Sequence, residues 1–130
     1  MMIGEPTQLH FGMERHQEAL FRRGVQLFNR GEFFRCHEVL EEIWTPARGP
    51  ERLFLQALIH FAVGFYHHQR RNQLGAERQL RKGLKKLAGY LPQYCGVQTS
   101  ALSEQVSRRL DVIARGGAVR RYPKISAPPG

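Results

Sequence analysis

The stretch Arg52-Leu53-Phe54-Leu55-Gln56-Ala57-Leu58-Ile59-His60-Phe61-Ala62-Val63-Gly64-Phe65 is apolar almost all round when advanced by about 100° per residue. A helix of that kind is packed on several sides and forms the centre of a domain. Pro50 stands just before it, at a first-turn position where its missing N–H costs nothing. The spacing predicts a central helix over about 50–71. Gln56, His60 and His67 share one narrow stripe on it, with Val63 alongside.

The neighbours of this segment are helical too, but amphipathic. Leu20, Phe21, Val25, Leu27 and Phe28 predict a helix over about 14–30 that stops at Asn29-Arg30-Gly31, where glycine supplies a C-terminal signal. A second helix is expected over about 32–45, ending before Pro46. Beyond the central helix, Asn72-Gln73-Leu74-Gly75-Ala76 reads as a break. A helix over about 76–90 follows, striped by Leu80, Leu84 and Leu87 and closed by Pro92. The last helix, about 99–115, carries Leu102, Val106, Leu110 and Ile113, is capped by Thr99 or Ser100, and ends at Gly116-Gly117. No segment alternates with the period of a strand. Short connections favour antiparallel neighbours, so the expected fold is all-α: a single-domain up-and-down bundle of about five helices built from helical hairpins. Residues 1–12 form an N-terminal arm, 13–116 the helical bundle domain and 117–130 a C-terminal tail.

The chain has 130 residues, enough for one real core. It contains no uninterrupted apolar run of membrane-spanning length and no signal-peptide layout at Met1-Met2-Ile3-Gly4-Glu5-Pro6, so a cytoplasmic protein without a membrane partner is expected. Cys36 and Cys95 are not paired in a metal-type spacing and are expected to be reduced thiols packed as small hydrophobes. The charge is uneven. Residues 1–52 hold seven Lys and Arg against eight Glu, a net of −1, and the remainder holds thirteen against three acidic residues, a net of +10. Such asymmetry fits either an anionic partner or a solvated surface kept from self-association.

Chemistry is most concentrated in Phe33-Phe34-Arg35-Cys36-His37-Glu38-Val39-Leu40-Glu41-Glu42-Ile43-Trp44. On the wheel, His37 lies at the edge of the apolar face beside Trp44, and Glu41 just beyond it, while Glu38 and Glu42 point toward a rim. Phe33 and Phe34 are expected in the core, and Trp44 as a core or loop-closing anchor. If the polar stripe of the central helix faces this one, His37, Glu38, Glu41, Trp44, Gln56, His60 and His67 form a polar pocket. Burying such groups is costly unless they are paired or bound to something. The default is a hydrogen-bonded network that fixes helix register. A second reading turns the stripe to solvent. A third makes His37, Glu41, His60 and His67 ligands for a divalent metal, as facing helices of bundles can do. The His-Glu-x-x-Glu order is not the His-Glu-x-x-His of zinc proteases.

Gly31-Glu32-Phe33-Phe34, His37-Glu38-Val39-Leu40-Glu41 and Trp44, Arg52 to Phe54, Gln56-Ala57-Leu58-Ile59, Tyr66-His67, and Asn72 with Gly75-Ala76 together make a specific pattern. It resembles the family catalogued as domain of unknown function 309, over about Leu20 to Leu91 with a weaker tail near Tyr122-Pro123-Lys124-Ile125. The resemblance implies a small all-helical bundle and implies no activity.

Arg78, Arg81, Lys82 and Lys85 recur at i, i+3, i+4 and i+7 on one face of the fourth helix, and Lys86 extends the patch. A solvated face is the default; phosphate-backbone binding is the alternative, although no nucleic-acid signature accompanies it. Gly75 is expected to permit close helix approach. Three functions follow: a helical-bundle protein whose His/Glu pocket binds a small ligand or a protein partner, without evident catalysis; a metal-dependent, hydrolase-like enzyme using the His/Glu cluster; and a nucleic-acid-associated protein using the basic face of the fourth and fifth helices.

Overall fold

The structure is a computed structural model and describes residues 14–126. Five α-helices follow one another: α1 Arg15–Asn29, α2 Phe33–Trp44, α3 Pro50–Gln69, α4 Gln73–Leu87 and α5 Thr99–Ala114. A 3-10 turn, Ala88–Tyr90, extends α4, and no strand occurs among the described residues. The fold is an all-α bundle. The predicted N-terminal arm lies outside the described residues.

Each helix buries the stripe its sequence carries. Phe33, Cys36, Leu40 and Ile43 are the buried residues of α2, and Leu102, Val106, Leu110 and Ile113 lie on the buried side of α5. On α3, nine residues from Phe54 to Phe65 are buried, so this helix is the centre. It packs between α2 and α4, and α1 reaches it through the Phe21–Phe54 ring contact. The α3–α4 approach is especially close. A Cβ at Gly83 would lie 2.5 Å from the Phe61 ring and 3.0 Å from the Ala57 carbonyl oxygen, and one at Gly64 would lie 2.7 Å from Leu80.

Three helices end in the same way. Glu32 N–H donates to the Leu27 carbonyl while Gly31 N–H donates to Phe28; Asn72 and Arg71 repeat this with His67 and His68, and Gly117 and Gly116 with Val112 and Ile113. These are Schellman closures, which need a left-handed residue just past the helix. Gly31 and Gly116 fill that place in α1 and α5, but Arg71, with φ +62°, fills it in α3. That is why the α3–α4 boundary differs from expectation. Asn72 is the N-cap of α4, its side-chain oxygen accepting from Gly75 N–H at 2.9 Å, so Gln73 to Gly75 are helical rather than a break. Gly75 therefore serves the cap, not a helix approach: its absent Cβ leaves room for the Asn72 side chain, 2.6 Å away. Thr99 differs as well. Its hydroxyl donates to the Tyr90 carbonyl at 2.7 Å instead of capping α5.

The segment after α5 is not a free arm through residue 126. Tyr122 packs edge-to-face with Phe33 and Phe65, ring centroids 5.1 and 5.3 Å away. Ile125 is buried, and its backbone N–H and C=O both bond the Asn29 side chain, at 2.7 and 3.0 Å. Gln105 binds both backbone groups of Lys124 at 3.1 Å. Val119 N–H donates to His68 Nε2 at 3.1 Å, which leaves the proton on Nδ1, 2.7 Å from Gln73 Oε1. Paired backbone and a half-buried aromatic bind this strap to the α1–α3 side of the bundle.

Candidate ligand-binding groove

The expected His/Glu pocket is divided between two different surfaces. His37 keeps to its own helix. Its Nδ1–H donates to the Phe34 carbonyl at 3.0 Å, and its Nε2 lies 3.5 Å from Glu41 Oε1. The Glu41 side chain is 48 % exposed, so it is an outward residue, against the wheel expectation. Glu38 and Glu42 are exposed as expected. A pair this open contributes little to stability. Phe34 is exposed rather than core, and rests against His37 and Tyr66 with centroids 5.1 and 5.2 Å away.

Trp44 is an anchor at the C-terminus of α2. The Arg52 guanidinium lies 4.0 Å from its ring centroid. The same guanidinium donates to the Trp44, Thr45 and Ala47 carbonyls at 2.8, 3.2 and 3.3 Å. One cation thus stacks on the indole and shares the carbonyls around the helix end with Ala47 N–H and the Arg48 guanidinium.

The polar stripe of α3 is present but faces α4, not α2. His60 Nδ1 lies 2.7 Å from Gln79 Oε1 on α4. Gln56 and His60 line a groove with Lys82, Lys85 and Lys86 of α4. His67 sits at the α3–α4 turn, 3.4 Å from the Asn72 side-chain nitrogen. The metal set His37, Glu41, His60 and His67 is therefore not assembled: its members contact α2, α4 and a turn respectively. Among the described residues, no three His, Cys, Asp or Glu side chains group so as to hold a metal ion. The reason is the rotation of α3. Its nine buried residues turn the polar strip toward α4, where the small Gly83 and Gly64 draw the helices together.

The groove has a volume of about 920 Å³ and is open to solvent. Pro50, Leu53, Gln56 and His60 form one bank; Lys82, Lys85, Lys86, Gly89 and Tyr90 form the other. Two hydrogen bonds cross between the banks. Tyr90 O–H donates to the Pro50 carbonyl at 2.6 Å near one end, and the His60–Gln79 contact closes the other. From Pro50 to His60 the helix rises about 15 Å, which sets the groove's length. Leu53 is 44 % exposed and gives an apolar ledge. No carboxylate lines the groove, and among the described residues none of the three lysines has an ion-pair partner. Burial, offset in part by the Gln79 bond and reinforced by Lys86 and Lys82, pulls the His60 pKa below its ordinary 6.5. His60 Nε2 is buried and has no hydrogen-bond partner among the described residues.

The rest of the basic face has other duties. Arg81 lies 3.5 Å from Glu77 on its own helix, and Arg78 is exposed. On α5, Arg109 donates to the Arg121 carbonyl at 2.9 Å and so fastens the strap. The groove lysines were legible as cations on one face. Their opposition to Gln56 and His60 was not, because it depends on how α3 is rotated. Cys36 is buried and free, its thiol pushed up to about 12 by desolvation, which makes it a packed hydrophobe rather than a nucleophile. No helix of the described residues is long and apolar enough to cross a membrane.

Residues 21–79 match the sequence model of the family described as "Domain of unknown function (DUF309)". The match begins where the sequence resemblance begins and stops at Gln79, short of the groove lysines. A similar protein is the "Uncharacterized protein YpuF" of Bacillus subtilis (strain 168), 38 % identical over 65 residues. The aligned part is 48 % of this chain and 37 % of that relative, so the chain spans little more than a third of the length of the curated relative it matches. The segment from Phe21 to Gln79, which carries the latter part of α1, all of α2 and α3, the first half of α4 and both partners of the His60–Gln79 contact, is thus similar to the domain of unknown function 309 family.

Proposed function

We propose that this chain is a non-catalytic binding module whose α3–α4 groove takes a small anionic ligand. The observation that carries the reading is the lining itself: three lysines that have no ion-pair partner among the described residues face Gln56 and His60 across a groove lined by no described carboxylate. Concave sites that combine an apolar wall with a few convergent polar groups are the usual binding sites of small molecules. The chemistry favours binding over catalysis. His60 has a side-chain amide, not a carboxylate, as its partner, and the lining offers no serine, threonine or cysteine beside it.

The test is a chemical-shift map of the full chain titrated with 8-anilinonaphthalene sulfonate, an aromatic anion. Shifts centred on Leu53, Gln56, Lys82, Lys86 and Tyr90, and lost in the Lys82→Glu/Lys86→Glu double variant, support the groove. Shifts centred instead on Phe34 and Tyr66 of the α2–α3 surface, or no shifts, count against it.

A further inference from the structure

The lysine bank carries more charge than a single carboxylate answers. Lys82 and Lys86 are one helical turn apart and Lys85 lies beside them, so three ammonium groups share one side of the groove. Like charges at i and i+4 destabilise a helix by about 0.2–0.5 kcal/mol per pair. Lys85 and Lys86 lie in the last turn of α4, where the helix dipole favours cations. Lys82 lies a turn earlier. No acidic side chain intervenes in the lining; Glu51, in the first turn of α3, instead bears on Tyr90, whose hydroxyl is already bonded to Pro50. Across from the lysines, the Gln56 amide offers a further donor. Next to it, Leu53 and Pro50 form an apolar ledge, and the space over Gly89 is open, with nothing within 4 Å of where a Cβ would stand.

We propose that the groove binds a small phosphomonoester with an apolar body, its phosphate among Lys82, Lys85, Lys86 and the Gln56 amide and its organic part on Leu53 and Pro50. The inference rests on the groove being the ligand site. A phosphomonoester is close to a dianion at neutral pH and presents three strong acceptor oxygens, which suits three ammonium point charges. A carboxylate or a sulfate ester brings one charge. The apolar ledge adds affinity for an ester over inorganic phosphate through buried area. The same phosphomonoester chemistry occurs in a free phosphate ester and in the headgroup of phosphatidic acid.

Calorimetric titration of the full chain at low ionic strength and pH 8, with phenyl phosphate, phenyl sulfate, benzoate and inorganic phosphate, tests the proposal. Phenyl phosphate is expected to bind roughly tenfold or more tightly than each of the others. Lys82→Gln/Lys86→Gln is expected to remove that advantage, Leu53→Asp to remove the preference over inorganic phosphate, and Arg108→Gln on α5 to change neither. Circular dichroism checks that each variant is folded, and Lys85→Gln alone serves where the double variant is not. Sedimentation with phosphatidylcholine vesicles with and without phosphatidic acid separates the sources. Capture only with phosphatidic acid, competed by phenyl phosphate, assigns a lipid headgroup, and phenyl phosphate binding without capture assigns a free ester. Equal affinity for phenyl phosphate, phenyl sulfate and benzoate, with the naphthalene sulfonate still mapping to the groove, overturns the phosphate preference and leaves the groove standing. No response to any of these anions, the naphthalene sulfonate included, overturns both.

Discussion

His60 Nδ1 on α3 and Gln79 Oε1 on α4 stand 2.7 Å apart, and this contact marks α4 as the helix that the polar stripe of α3 addresses. It commits Gln56 and His60 to the α3–α4 groove and removes them from any partnership with His37 and Glu41. It also holds the imidazole where burial disfavours its charged form.

The pH dependence of stability follows from that burial. The His60 pKa is lowered in the folded protein, so below 6.5 the unfolded chain binds more protons than the native one. The contribution of neutral His60 is fully present above that pH. It declines as pH falls and levels off once the pH is below the native value. The melting temperature of wild type, followed from pH 8 downward, is expected to fall relative to that of His60→Gln as the wild type loses this contribution. A difference that stays constant, or that shifts in favour of wild type on acidification, contradicts the assignment.

On α2, Glu41→Ala is expected to change stability by less than about 0.5 kcal/mol in urea denaturation. The carboxylate is half exposed and its contact with His37 is long. A loss of several times that amount means that Glu41 has a buried partner.

Arg52→Ala is expected to cost about 1 kcal/mol, combining the lost stack on Trp44 with the lost charge-assisted bonds to carbonyls that keep Ala47 N–H or Arg48 as donors. Arg52→Lys, which keeps the charge and not the planar fork, should fall between. Trp44 is the single tryptophan, so its fluorescence reports the disturbance directly. Unchanged emission and stability in Arg52→Ala exclude the anchoring role.

Asn29→Ala is expected to cost about 2 kcal/mol, roughly 1 kcal/mol for each of its two bonds to the Ile125 backbone. Faster hydrogen exchange should be confined to the strap, at Val119, Lys124 and Ile125. Exchange that rises equally in all five helices shows instead that the strap does not open by itself.

Arg71→Gly should stabilise the protein by about 0.5–1 kcal/mol. The left-handed backbone costs a side-chain-bearing residue about 1–2 kcal/mol, and part of the gain is returned as entropy of the unfolded chain. Arg71→Ala, which keeps a Cβ at that place, should not reproduce it. A loss of stability in Arg71→Gly reveals a side-chain contact that outweighs the backbone.

Much of this protein is determined locally and was therefore legible in the sequence. Apolar residues three and four apart settled the helices, the nearly all-round apolar surface of Phe54 to Phe65 made α3 the centre, and glycine after α1 and α5 marked their ends. The α3–α4 boundary was not marked, since Arg71 adopts the glycine conformation without being glycine, and the cap that begins α4 is visible only once Asn72 turns back on Gly75. The docking of the strap was not legible in the sequence, because its order comes from Asn29, Gln105 and His68, which lie far from it in the chain.

For the candidate site, the sequence by itself determined which side chains share a face: Gln56, His60 and His67 on one helix, Lys82, Lys85 and Lys86 on another, His37 and Glu41 on a third. Only the tertiary structure decided which faces meet. A helix packed on several sides has no unique outward direction, so its polar stripe is aimed by the sum of its contacts. In α3 that sum is dominated by Gly64 and Gly83, whose missing Cβ atoms let α3 and α4 close until His60 reaches Gln79.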